Sequence, residues 1–150
     1  MTERDARQYD LINARLEDMP FAAHVKIELV GLENGVTLRL EADETVFGNS
    51  EIRAMHGGCM AGLLETAAVL EAARHMTERK TLDVADIPVP LNTTTQYLRG
   101  GKAVPTYARA EMLKHGRRSS TLVCRLWQES EEVPLASMTA IMMTPSLKKA

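Results

Sequence analysis

Aromatic side chains are scarce in this sequence, with one Trp, three Tyr and two Phe among 150 residues. So few rings leave little material for the stacking platforms on which single-stranded nucleic acids bind. A charge excess is missing too, since 18 basic residues against 20 acidic ones give a net charge of -2. That balance offers no general attraction for nucleic acid or an anionic membrane, so any anion must be held locally. Cysteine occurs only at Cys59 and Cys124, in apolar segments and without C-x-x-C spacing. Neither a zinc site nor a disulfide framework is indicated, and both read as buried, reduced thiols. His24, His75 and His115 have no spacing suited to a metal site shared with them. No apolar run approaches the roughly 20 residues that span a bilayer. The start, Met-Thr-Glu-Arg-Asp-Ala-Arg, lacks the apolar stretch of a secretory signal, so a cytoplasmic location is expected. Walker and Rossmann glycine patterns and a Gly-x-Ser-x-Gly elbow are also absent, which removes support for nucleotide hydrolysis, dinucleotide binding and an α/β-hydrolase esterase.

What is present describes a folded protein. Apolar residues are 45% of the chain and charged residues 25%, proportions that exclude extended disorder and predict one domain over residues 1–150. Nine Met supply unbranched, adaptable apolar surface of the kind that suits flexible apolar ligands. Thr2 and Asp5 form a capping pattern, and Tyr9, Ile12, Leu16 and Met19 recur at helical spacing until Pro20, which predicts an N-terminal helix within 1–19. Val25, Ile27 and Leu29 alternate with polar residues, as do Val36, Leu38 and Leu40, on either side of Asn34-Gly35. This pattern predicts an antiparallel hairpin. From Gly58 to Leu70, and on to Arg74-His75, the chain is apolar on nearly every side, so this helix must lie inside the fold. A loop from Asp83 to Pro90 follows. Strands are then predicted at Thr93–Leu98, Tyr107–Leu113, Thr121–Trp127 and Leu135–Met143, with a tail from about 145 to 150. The turns between the later strands are too short for parallel crossovers, so the class is α+β, an antiparallel sheet wrapped around one helix.

Glu65 is the only charged residue between Gly58 and Leu70. A carboxylate in an apolar enclosure requires a partner, a raised pKa or a ligand cleft, and a chemical role is favoured. The alternative is a structural Glu bonded to Thr66, Thr94 or an Arg. His56-Gly57-Gly58 marks the helix start, where first-turn N–H groups lack helical partners and suit a carbonyl oxygen that gains negative charge. The competing reading is an ordinary glycine-rich start with His56 as a cap. These amides and Glu65 lie roughly 10–12 Å apart along the helix. A single carbonyl cannot touch both, so the site is expected to straddle two subunits with antiparallel helices.

His56-Gly57-Gly58, an acid nine residues after the histidine, Asn49 upstream and a strand-rich C-terminal half resemble the hot-dog fold acyl-CoA thioesterases of the phenylacetate-pathway (PaaI-like) type. The resemblance runs from about Pro20-Phe21 to Met143, with Tyr97-Leu98-Arg99-Gly100 and Lys114-His115-Gly116-Arg117-Arg118 looking like the family's later strands. It implies a homodimer or dimer of dimers that hydrolyses acyl-CoA to free acid and coenzyme A. Gly57 would then supply the oxyanion amide and Glu65 the general base or nucleophile. The family's upstream Asn falls on Asn49, although the usual spacing falls on Ser50. A water-orienting hydroxyl would come from Thr93, Thr94 or Thr95. Coenzyme A enters only as part of the substrate, with no separate cofactor or metal, and its phosphates suit a basic rim drawn from Arg99, Lys102, Lys114, Arg117 and Arg118. Each of these also fits a solvated hairpin tip. A hot-dog hydroxyacyl dehydratase or hydratase, and a non-catalytic acyl-CoA-binding protein, are the competing functions.

Overall fold

The computed structural model describes residues 1–78 and 87–144. The first helix, α1 (Glu3–Glu17), starts as its sequence dictates: Thr2 Oγ1 accepts the Asp5 N–H at 3.1 Å and Asp5 Oδ2 accepts the Thr2 N–H at 3.0 Å. Reciprocal caps of this kind satisfy two otherwise orphaned donors. Pro20 then begins a second helix instead of merely ending the first, since its fixed φ suits a first helical position. This helix, α2 (Pro20–Val25), takes Val25 out of the strand that alternation predicts. Lys26, at φ 59°, breaks it in a left-handed conformation, and β1 (Ile27–Gly31) follows.

The Asn34-Gly35 hairpin forms as expected. It joins β1 to β2 (Val36–Leu40) with Asn34 at φ 60° and Gly35 at φ 114°. Beyond β2 lies a feature too short to register as a pattern, a two-stranded ribbon of β3 (Phe47–Asn49) and β4 (Ala54–Met55). The long helix, α3 (Gly57–Glu78), follows directly. Four strands complete the chain: β5 (Val89–Tyr97), β6 (Thr106–His115), β7 (Ser119–Trp127) and β8 (Ala136–Met143). Val89 and Pro90 thus belong to β5 and not to the preceding loop. The rest of that loop up to residue 86, and the tail from 145 to 150, lie outside the described residues.

Six strands form one sheet in the order β1-β2-β6-β7-β8-β5, and every neighbouring pair is antiparallel. Helix α3 lies across its inner face. Leu63, Leu64, Ala67, Ala68 and Leu70 are fully buried against Leu38, Ala108, Ala110, Leu122, Cys124, Leu126, Ala136, Met138, Ala140 and Met142. Each buried Leu contributes about 1.5–3 kcal/mol. The alanines on the central strands let the helix approach the sheet closely. Both cysteines are free and buried, and burial pushes the Cys124 thiol up to about 12. Among the described residues no helix is long and apolar enough to cross a membrane.

Candidate active site

Backbone bonds on both sides fix the start of α3. The His56 N–H donates to Val46 O at 2.7 Å, and the Met55 N–H donates to Gly101 O at 3.0 Å. Glycine at 48 is required here, because a Cβ on it would come within 2.9 Å of His56 Cα. His56 then caps the helix. Its ring Nδ1 accepts the Gly58 N–H at 2.9 Å, while its carbonyl accepts those of Cys59 at 2.9 Å and Met60 at 3.2 Å. A Cβ on Gly58 would fall 2.9 Å from that ring nitrogen. The amide of Gly58 is therefore occupied, and among the described residues Gly57 keeps the first-turn N–H without a partner. The carbonyl of Gly57 accepts from the Tyr97 hydroxyl at 3.0 Å.

Glu65 is exposed, in contrast to the enclosure expected of it, and has no hydrogen bond or ion pair among the described residues. Neither Thr66 nor Thr94 binds it. The Thr66 hydroxyl donates to Gly62 O at 2.7 Å, and Thr94 pairs with Thr139 on the sheet face turned away from the helix. The same register puts Thr93, Thr95 and Tyr97 on the helix side, opposite buried Ala140, Met138 and Ala136. The enclosed carboxylate of α3 is instead Glu71, 1% exposed, six positions beyond Glu65 and thus about 240° around the helix. Gly58, Ala61, Gly62 and Glu65 share the open face of α3 at helical spacing. Phe21 of α2 covers part of that face, since a Cβ on Gly62 would meet its ring at 2.4 Å.

Asn49 uses its side-chain oxygen locally, accepting the Glu51 N–H at 3.1 Å. Neither Asn49 nor the exposed Ser50 bonds to Gly57 or Glu65. The basic residues divide between the two ends of the helix. Arg99 follows Tyr97 near the start of α3, and Lys102 bridges to Ala54 at the same end. Lys114, Arg117 and Arg118 lie at the opposite end, where the His115 ring stands 5.9 Å from that of His75 in α3. Twenty-two residues at 1.5 Å make these ends about 33 Å apart, so one chain does not assemble the five into a single rim. A cleft of about 900 Å³ opens between α1 and the β1–β2 hairpin, lined by Thr2, Tyr9, Val30 and Leu32, and reaches neither Gly57 nor Glu65. Among the described residues of one chain, Phe21 covers part of the face that carries Glu65 and no other wall stands over that exposed carboxylate.

Sequence reasoning passed over Glu71, Phe21 and the role of Tyr97. Glu71-x-x-Arg74-His75 was readable as an i, i+3, i+4 charge cluster, whereas Tyr97 becomes informative only once strand register is known.

The sequence model of the family described as the acyl-CoA thioesterase N-terminal domain matches residues 48–143, from β3 to the end of β8. No curated protein matches the chain in sequence. Among solved structures, the PaaI protein of the Escherichia coli phenylacetic acid degradation operon superposes with a TM-score of 0.78 at 15% identity, covering 95% of this chain and 96% of its own. A thioesterase from Haemophilus influenzae gives 0.77 at 18% identity, covering 94% and 92%. A phenylacetic acid degradation-related protein from Ralstonia eutropha gives 0.68 at 22% identity, covering 89% and 98%. At these identities the superpositions establish the fold, while the match over residues 48–143 establishes descent. With its six-stranded antiparallel sheet closed around α3, the chain belongs to the acyl-CoA thioesterase family of hot-dog fold hydrolases.

Proposed function

We propose that the protein hydrolyses acyl-CoA thioesters at sites shared between two subunits. The observation that carries this reading is that, among the described residues, both the Gly57 N–H at the start of α3 and the exposed Glu65 carboxylate two turns along it have no partner. The thioester carbonyl accepts from the Gly57 amide, and its oxygen takes up negative charge as the tetrahedral intermediate forms. One such donor is worth about 10²–10³ in turnover. Glu65 of the facing subunit acts in one of two ways. As a base it takes a proton from water while the water oxygen bonds to the carbonyl carbon; the intermediate then collapses, breaks the C–S bond and expels coenzyme A, which receives the proton. As a nucleophile it forms a mixed anhydride with loss of the thiolate, and water then cleaves the anhydride.

Two features support a second copy as the missing wall. The two sheet edges differ, for α1 lies against β1, with the Tyr9 hydroxyl donating to Leu29 O at 2.9 Å, whereas β5 ends the sheet with Val89, Leu91 and Tyr97 exposed. Open apolar edges of this kind invite strand pairing. Helix arithmetic agrees. Setting Gly57 opposite the partner subunit's Glu65 carries the C-terminal end of the partner helix about 20 Å past the start of α3. The partner's Lys114, Arg117 and Arg118 then come to the end of α3 that carries Arg99, so basic groups of both subunits would be available to the phosphates of coenzyme A.

Release of coenzyme A from a panel of acyl-CoAs tests the reading, with Glu65→Gln and sedimentation alongside. The wild type is expected to be an active dimer or larger, and the variant to lose about 10²-fold or more in turnover without a change in melting temperature. Full activity of a folded Glu65→Gln protein removes Glu65 from the chemistry. An active stable monomer removes the shared site, and inactivity of the wild type on every acyl-CoA leaves a binding protein.

A further inference from the structure

We infer that Tyr97 is a positioning residue for the oxyanion donor, an inference that rests on the thioesterase reading above. The Gly57–Gly58 peptide is held at both ends, its carbonyl by the Tyr97 hydroxyl at 3.0 Å and its N–H by His56 Nδ1 at 2.9 Å. Successive glycines have the widest backbone freedom of any residues, and a first helical turn has few bonds of its own to restrain it. The Gly57 N–H belongs to the preceding peptide, whose carbonyl is tied by the Cys59 and Met60 N–H groups; with the following plane clamped as well, both planes that flank the Gly57 Cα are held, and rotation at Gly57 can no longer swing the free amide. The adjoining His56–Gly57 peptide is polarised as well, because its carbonyl accepts two N–H groups, from Cys59 and Met60, and its N–H is the one left for substrate.

Tyr97 has little other use for its hydroxyl. It is the last residue of β5 and 54% exposed in one chain, so packing within the chain does not explain a large aromatic side chain there. Its ring occupies the space a side chain at 57 would need, with Cε1 3.3 Å from that Cβ position. Strand and helix thus meet at this contact, and the sheet transmits its rigidity to the amide through one hydrogen bond. An oxyanion donor lowers the barrier only when it is oriented before charge develops.

Tyr97→Phe keeps the ring and removes the hydroxyl. With an acyl-CoA that the wild type hydrolyses, kcat is expected to fall about five- to tenfold, the worth of one neutral hydrogen bond, with KM within twofold and the melting temperature unchanged. Tyr97→Leu, which also frees the space beside Gly57, should lose more kcat. A purely structural tyrosine would lower the melting temperature and leave the kcat-to-KM balance of the folded enzyme alone. Wild-type kcat in Tyr97→Phe, or a loss confined to KM or to stability, overturns the inference while the hydrolase reading stands. A wild type that releases no coenzyme A from any acyl-CoA overturns both.

Discussion

Glu71 Oε2 accepts the backbone N–H of Val36 at 2.9 Å, tying the second half of α3 to the first residue of β2. Arg74 grips the same carboxylate with two bonds, Nε to Oε2 at 2.8 Å and Nη2 to Oε1 at 2.7 Å, and His75 Nε2 lies 2.9 Å from Oε1. Removing one member of a buried ionic cluster leaves the others uncompensated at a cost of about 3–5 kcal/mol. Glu71→Ala is therefore expected to lower unfolding free energy by about that much in a urea titration. Glu65→Gln, on the same helix but exposed, should change it by less than about 0.5 kcal/mol. Equal effects at the two positions would contradict the assignment of the structural role to Glu71.

The same cluster sets an acid limit. Burial alone raises the Glu71 pKa, but the hydrogen bonds from His75 and Arg74, together with their charges, outweigh it and hold the carboxyl below its ordinary value of 4.5. A folded-state pKa below the unfolded one gives stability that is complete above the unfolded value and is lost as pH falls through the folded one. Wild-type stability should accordingly decline below about pH 4.5 more steeply than that of Glu71→Gln, which has no such proton to take up. Parallel acid limbs for the two proteins would sink the argument.

Gly35 has a different kind of necessity. Its φ of 114° disfavours any side chain, and a Cβ there would lie 2.0 Å from the Ala110 carbonyl oxygen of β6. Strained φ alone costs about 1–3 kcal/mol, and the obstacle is backbone that cannot rotate aside. Gly35→Ala is expected to lose about 2 kcal/mol or more, whereas Asn34→Gly, at φ 60°, should be tolerated. Chemical denaturation of the two variants provides the comparison.

These residues also show where the sequence was legible. The Thr2–Asp5 box and the Asn34-Gly35 turn act over three or four residues, so local chemistry determined them and both stand where expected. Burial around a helix is not local. Glu65 looked enclosed because its sequence neighbours are apolar, yet it lies on the one strip of α3 that the sheet does not cover, and Glu71 lies on the covered side. The basic residues were legible only as lying near strand ends. Successive antiparallel strands end at opposite edges of the fold, so nearness to a strand end says nothing about which end, and Arg99 is separated from Lys114, Arg117 and Arg118. Thr93 to Thr95 stayed ambiguous until pairing with β8 divided them between the two faces.

His56 is the residue for which the chemical and structural readings now diverge. Accepting the Gly58 N–H through Nδ1 at 2.9 Å requires an unprotonated nitrogen there, and places the ring in the role a Ser, Asn or Asp usually fills at the residue before a helix. Asn can present its side-chain oxygen to the same amide. Stability of His56→Asn should therefore lie within about 0.5 kcal/mol of wild type, while His56→Ala, with no acceptor, should lose about 1 kcal/mol. Turnover should follow the same order, since Asn keeps the Gly57–Gly58 peptide in place and Ala releases one of its two restraints. Both variants can be assayed at a temperature where each is fully folded, which separates a loose helix start from an unfolded population. If His56→Asn matches wild type in melting temperature but loses turnover by 10²-fold or more, a loss of the size expected for a proton-transferring group, the imidazole itself takes part in the reaction and the cap is secondary.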